Sequence, residues 1–540
     1  MKFSMPMFRD FVPEGLRPWI YVLQAFCFQF SGGVYLGSMN NMIGERAWMR
    51  EDVLMCLYAN LIGMAIYFPV LFRMKFHFTN RFLLICSALT IIACNLLVLL
   101  PLPKPIIWGL CVVCGMAKIQ GTFENMSNIQ LWMTPTRDMG VFFPILHIIL
   151  LTSIEVSAFL AALFAFEHHW MLMHWFVCGL MLFVIFVQTL LTRPFHAMPK
   201  IIPLKGIDWF GALLWMVFCL QLTYMLNYGD WLDWWHSPTI RLLCGTSLIT
   251  LAVCLQRMLY HPQPYYEPAM WTYRHVVPII VLIGIVEMLF SCEHVLEMVY
   301  YEEVMHYADH TYEALNQWSL PGIWAGCLFS VWWLKVRQWN VYKLIAIGLT
   351  AFSLYAAGFY FRMDASLNIE ALRLPIVCRG FSYSILCIAF MWALHAMLSF
   401  RHFFQALSVF NMIHMFVGGS AGAALHAHGL GYYVADGFAR YSHALDAVRL
   451  SARGVQIGPY MEHFVENMLA QSVKILFGWT LYAGIFFALL MLLWDIPMVR
   501  HRVKRMQTWP SVGFQVLSRF RRQQRLKKLR QMRRARTAAG

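Results

Sequence analysis

The sequence predicts an all-α polytopic membrane protein, and three observations carry that expectation. The 540 residues are 60% hydrophobic and only 13% charged, whereas globular chains average about 25% charged residues. Apolar runs of membrane-crossing length recur from end to end, and a helix is the single-segment structure that satisfies its own backbone inside a bilayer. The short turns between the runs divide unequally in positive charge, as membrane insertion requires. An aqueous fold would need one core larger than single domains build.

Fourteen spans are expected, near 18–38, 52–72, 82–101, 105–126, 140–165, 169–191, 208–228, 237–259, 275–299, 314–334, 341–361, 373–394, 404–428 and 471–494. The opening "MKFSMPMFRDFVPEGLRPW" is mixed and lacks a continuous apolar core, so the first span is expected to stay in place rather than act as a cleavable signal. With the N-terminus inside, the short inner turns hold Arg73, Lys75, Arg81, Arg137, Arg193, Lys200, Lys205, Arg257, Arg274, Lys335, Arg337, Lys343 and Arg401. The short outer ones hold only Arg46, Arg50, Lys104, Arg362 and Arg373. The bias predicts an inner (cytoplasmic) membrane protein with both termini cytoplasmic. In the seventh span Asp208 then begins inside, and the tryptophans of "GDWLDWW" mark the outer interface.

The formal net charge is +15, but the tail holds nearly all of it. From Arg500 onward it carries fourteen Arg and Lys and no acid. That placement argues against a nucleic-acid partner for the body and predicts that the tail holds anionic lipid at the cytoplasmic surface. The 14 cysteines are scattered through apolar segments, and the one CxxC, Cys111 to Cys114, falls inside a span. Small packing residues are the expected reading there, not a redox or metal pair. The histidines of the 429–466 outer loop are joined by no cysteine and show no ligand spacing, so no metal is expected, and no motif calls for a cofactor.

An internal repeat is expected. Arg73, Lys75 and Arg81 are spaced like Lys335, Arg337 and Lys343, 262 residues further on, and the same offset carries Lys118 to within one residue of Arg379. The expected organisation is an N-terminal six-helix bundle (1–192), an inserted transmembrane pair (193–262), a C-terminal six-helix bundle (263–497) and a basic cytoplasmic tail (498–540).

The stretches "IDWFGALLW" through "DWLDWWHSPTI", "IQG" at Ile119 to Gly121, "CRGFSYS" around Arg379 and "GGSAGAAL" at Gly418 to Leu425 resemble the major facilitator superfamily, in its fourteen-span EmrB/QacA-type drug antiporter branch. The resemblance spans nearly the whole chain. It implies two six-helix bundles around a central cavity, alternating access, and proton-driven export of a small amphipathic compound, in many relatives with a periplasmic adaptor and an outer-membrane channel. Several signatures differ. The loop after the second span keeps only its cations, Arg73, Lys75 and Arg81, and Phe72 and Thr79 stand where the family has glycines. The GPxxGG signature falls on "IEVSAF", with Glu155 in place of the proline. The first span has Gln29 and Ser31 instead of an aspartate.

An ionised group at membrane depth is paired, wetted or titrating. Lys118, Glu124, Glu155, Glu287, Glu293, Glu297, Arg379 and Lys474 fall inside expected spans. Glu287 and His294 are seven apart and so differ by about 20° around an ideal helix, with Glu297 about 60° further. They read as a proton site, a structural polar pair or an outer vestibule. Glu155 and Glu124 are the other proton-coupling candidates, and Lys118 is placed to bridge either acid or to contact substrate. Gln29, Lys118, Gln120, Arg379 and His414 are the substrate-cavity candidates. Arg73, Lys75, Arg81, Lys335, Arg337 and Lys343 form the conformational loops. Gly418, Gly419 and Gly422 suit close helix approach. Proton-coupled uptake and a transport-inactive receptor or scaffold are the alternatives. For a lipid-modifying enzyme the one dense candidate, "FEHHWMLMH", sits on a turn too tight for a catalytic groove, so no enzyme is expected.

Overall fold

The computed structural model describes residues 5–31, 34–35, 37–134, 138–196, 203–364, 367–442 and 457–493. Among the described residues the main helical segments run in sequence: α1 (Arg17–Phe30), α2 (Arg50–Tyr67), α3 (Asn80–Val98), α4 (Lys104–Met133), α5 (Met139–Glu167), α6 (Met171–Leu191), α7 (Trp209–Tyr228) and α8 (Pro238–Tyr260) come first. Then follow α9 (Val276–Phe290, continued by π-helical turns to Val304), α10 (Ser319–Val331, continued to Arg337), α11 (Val341–Arg362), α12 (Arg373–Met397), α13 (Phe400–Ile413, a π turn His414–Ala421, then Gly422–Ser442) and α14 (Ile457–Leu493). Of these, eleven helices are long and apolar enough to cross a membrane, and α2 makes a twelfth with Leu71–His77, which meets it at 65°. The helices α1 and α10 are shorter and stand at the first and tenth expected spans. Arg137, Lys200, His443 and the basic tail lie outside the described residues.

Local chemistry sets several of the starts. The Thr79 hydroxyl accepts from the Phe82 amide at 3.3 Å, Asp138 from Gly140 at 3.0 Å, Asp208 from Gly211 at 2.9 Å and Asn340 from Tyr342 at 3.0 Å, each satisfying an orphan donor of the first turn. Proline stands in the first turn of α1, α4 and α8, where its missing N–H costs nothing. The described residues of the outer loop expected over 429–466, 429–442 and 457–466, are helical instead. The sequence "GLGYYVADGFARYS" contains no proline, so α13 runs on to Ser442, and α14 begins at Ile457, well before its apolar run.

Glycine sets helix approach in both halves. A Cβ on Gly115 of α4 would collide with the backbone of Asn60 in α2, and one on Gly380 of α12 would collide with Ser319 in α10. The helices α2 and α4 are thus related to each other as α10 and α12 are, eight helices later. The helix α7 packs on α2 and on the π turn of α13, covering the seam between the halves, and α8 packs on α7. Asp208 at the head of α7 receives Arg257 of α8 at 2.7 Å, which ties the pair together.

The loops divide the protein into a basic face, bearing the α2–α3, α10–α11 and α12–α13 turns, and a far face. On the basic face Phe72 packs against Phe400 and Phe404, both at 4.3 Å between ring centroids, and Asp138 pairs with Lys335. On the far face Asn40 donates to Asp309 at 2.8 Å and Phe166 stacks on His310 at 3.8 Å. The halves therefore touch at both ends. The residues before α1 also belong to the packing: Phe8 is buried, and Arg9 donates through its amide to Leu191 at 2.9 Å, closing the basic face beside α6.

Candidate functional site

The polar centre is organised by α9. Regular helix ends at Phe290, and π turns follow at Glu293–Glu297 and Tyr300–Val304. A π turn inserts an extra residue into the helix, so the seven-residue spacing no longer holds Glu287 and His294 on one face. Glu287 pairs across to α13 instead: His414 Nδ1 donates to its Oε2 at 2.8 Å. His414 opens a further π turn, in α13, and Tyr383 Oη of α12 lies 3.5 Å from the same nitrogen.

One turn towards the far face, Arg379 of α12 is buried and donates to Glu297 Oε2 at 2.7 Å, with Glu293 at 3.2 Å and the Asn316 side-chain oxygen at 3.3 Å. The other oxygen of Glu297 receives the Tyr355 hydroxyl of α11. Glu155 of α5, from the opposite half, lies within electrostatic reach of Arg379, Glu293 and Glu297, and its backbone carbonyl accepts from Gln317 at 3.0 Å. Glu155, Glu293 and His414 are partly exposed and His294 is exposed.

The remaining sequence candidates are distributed differently. Glu124 is buried, but its partner is Lys75 at 3.2 Å, not Lys118, and Lys75 also reaches Ser127 at 2.5 Å. The bend after α2 accounts for this, because it turns Lys75 inward under α4. Lys118 is buried with no acidic partner among the described residues, and the bridge to Glu155 does not form. Gln29 donates to Thr122 at 2.9 Å, whereas Gln120 is buried with neither side-chain polar atom partnered. Arg73 lies near Arg401 and Glu267, Arg81 follows the first residue of α3, Lys343 sits in the first turn of α11, and Arg337 covers the rings of Trp332 and Trp339. A Cβ on Gly418 would stand 2.9 Å from Glu287 Oε2. One on Gly419 would stand 2.7 Å from the Tyr58 ring, and one on Gly422 would strike Ser291. The three glycines let α13 approach α9 and α2.

Glu297 stands two residues from the end of the expected span 275–299, where a solvated acid is ordinary, although Glu293 and Glu297 at i and i+4 signal one helix face. Asn316 and Tyr355 carry no such signal, since a single amide or hydroxyl among apolar residues is ordinary.

No protein-family model matches the sequence, and no curated protein matches it. Solved structures do. The peptide transporter POT in complex with sulfate aligns over 92% of this chain and 97% of its own, with TM-score 0.54 and 14% identity. A mutant of peptide transporter POT in complex with alafosfalin aligns over 90% and 98%, with TM-score 0.53 and 14% identity. The POT family transporter PepTSo aligns over 88% and 99%, with TM-score 0.50 and 12% identity. At these identities the likeness establishes the fold: the chain shares the all-helical, polytopic architecture of these solved transporters.

Proposed function

We propose that the protein is a proton-coupled secondary transporter of small amphipathic compounds, working by alternating access as an exporter of the fourteen-span antiporter type. The observation that carries the reading is the network of acids and cations where the halves meet. Glu155, Glu287, Glu293 and Glu297 face one arginine and two histidines there, drawn from α5, α9, α12 and α13. Unpaired charge is costly at this depth, so a cluster richer in acids than in cations balances itself with protons. Its members sit on both halves, so a relative movement of the halves changes which acid meets which cation. Contacts at both faces correspond to the closed intermediate of such a cycle.

In this reading the basic face is cytoplasmic in an inner membrane, the basic tail rests on anionic lipid, and a periplasmic adaptor and outer-membrane channel would receive the exported compound. No catalytic role is assigned. Uptake is the second reading, and one observation favours it: the segment where antiporters carry their glycine and proline signature here presents Glu155 to the arginine network.

The test is dye quenching in inverted vesicles, screening cationic, anionic and neutral amphipaths. A compound that collapses the proton gradient in the wild type but not in Glu155→Gln or Glu287→Gln supports export by antiport. Accumulation of a compound from the opposite side, driven by inward protons, supports uptake. Accumulation that no pH gradient alters overturns proton coupling.

A further inference from the structure

A cleft of about 380 Å³ lies on the outer flank of the C-terminal half, between α11 and α14, remote from the acid network. Tyr360, Gln471, Lys474, Gly478, Trp479 and Tyr482 line it. We propose that it binds one anionic glycerophospholipid, with the phosphate on Lys474 and an acyl chain lying along Gly478.

Lys474 gives the charge argument. An ammonium offers three donors and accepts nothing. Here one protein acceptor is in range, the Met363 carbonyl at a long 3.5 Å, and the Tyr360 ring lies 5.9 Å away. No carboxylate reaches ion-pair distance among the described residues, and a cation at the edge of a bilayer without a counter-ion is a site for a phosphate. Its depth agrees. Met363 caps the far end of α11, so the ammonium lies level with the headgroup boundary of that leaflet.

The groove supplies the rest. A Cβ on Gly478 would stand 3.0 Å from the Tyr360 ring, so the open floor depends on glycine. Trp479 and Tyr482 are 61% and 69% exposed and flank the path. From Gln471 to Tyr482 the helix rises about 16 Å, enough to seat much of an acyl chain. Aromatic side chains at this level are at home beside headgroups.

The test is native mass spectrometry of the full chain, purified and then titrated with phosphatidylglycerol or phosphatidylcholine, with Lys474→Gln, Lys474→Arg and Gly478→Leu beside the wild type. The wild type is expected to hold one phosphatidylglycerol about fivefold more tightly than Lys474→Gln does. Lys474→Arg should keep that lipid and Gly478→Leu should lose it. Equal retention in Lys474→Gln, or equal retention of phosphatidylcholine by the wild type, overturns the proposal. Displacement of the lipid by inorganic phosphate alone would refute the acyl-chain contact. A dimer that Gly478→Leu dissociates would show that a second copy covers the groove instead.

Discussion

Replacing Arg379 by glutamine strands a buried carboxylate, and the cost follows from the geometry. Arg379 is 2% exposed and Glu297 is 2% exposed, with 2.7 Å between guanidinium and carboxylate. The second partner, Glu293, is 28% exposed at its side chain and rehydrates more easily. Glu297 therefore sets the loss, and removing one partner of such a pair costs about 3–5 kcal/mol. An unfolding entropy of roughly 2.1 cal/mol/K per residue makes one degree worth about 1.1 kcal/mol in a chain of this size, so the melting temperature should fall by about 3–4 °C. The assay is thermal unfolding of detergent-purified protein followed by tryptophan fluorescence. Glu297→Gln and the double variant complete a cycle in which the double loss falls short of the summed single losses by about 1 kcal/mol or more. A wild-type melting temperature for Arg379→Gln, or strictly additive losses, would refute the reasoning.

Asp208→Asn should cost about 1–3 kcal/mol by removing the negative charge and one of the two oxygens that accept from Arg257. Burial opposes ionisation of Asp208, but Arg257, the Gly211 N–H and His261 together hold its carboxyl below the usual carboxylate range. A depressed folded value means that this stability is complete above the unfolded value of about 3.9 and is lost as pH falls through the lower folded value. The gap in melting temperature between wild type and Asp208→Asn should thus stay constant from pH 8 to 5 and close only below about pH 4. A gap already closing at pH 6 contradicts this. Gly418→Leu should destabilise by about 1–3 kcal/mol through overpacking against Glu287, whereas Gly431→Ala, with open space around its Cβ position, should be neutral in the same melting assay. Phe72→Ala removes ring contacts with Phe400 and Phe404, each aromatic pair contributing about 0.5–1.5 kcal/mol, so amide exchange at the start of α13 should rise about tenfold. Unchanged exchange would mean that these rings do not hold the basic face closed.

The crossings were legible in the sequence because bilayer burial writes itself as length and apolarity, and the positions of the helices follow the apolar runs. The all-α polytopic fold needed nothing more. The partners of the buried charges were less legible, for a geometric reason. Helical periodicity places Glu287 beside His294, but π turns in α9 and α13 reset the angular register, and Glu287 meets His414 from a helix more than a hundred residues away. Lys75 shows the same limit, since an expected loop cation became the buried partner of Glu124 through a 65° bend that no residue pattern announces. Arg379 was recognisable as a buried cation from its setting in α12. That it gathers acids from α9 and faces one from α5 depends on how the halves dock, which one chain's local sequence does not encode.

Proton coupling through the acid network is the central claim, and purified protein in liposomes tests it most directly. For a compound found in the vesicle screen, the measurement compares exchange of labelled for unlabelled compound without a gradient against accumulation driven by an imposed pH gradient, in wild type and in Glu287→Gln. The account predicts that Glu287→Gln keeps exchange and loses gradient-driven accumulation, because the carrier still cycles but its proton site is gone. Full gradient-driven accumulation by Glu287→Gln, and equally by Glu155→Gln, would contradict it.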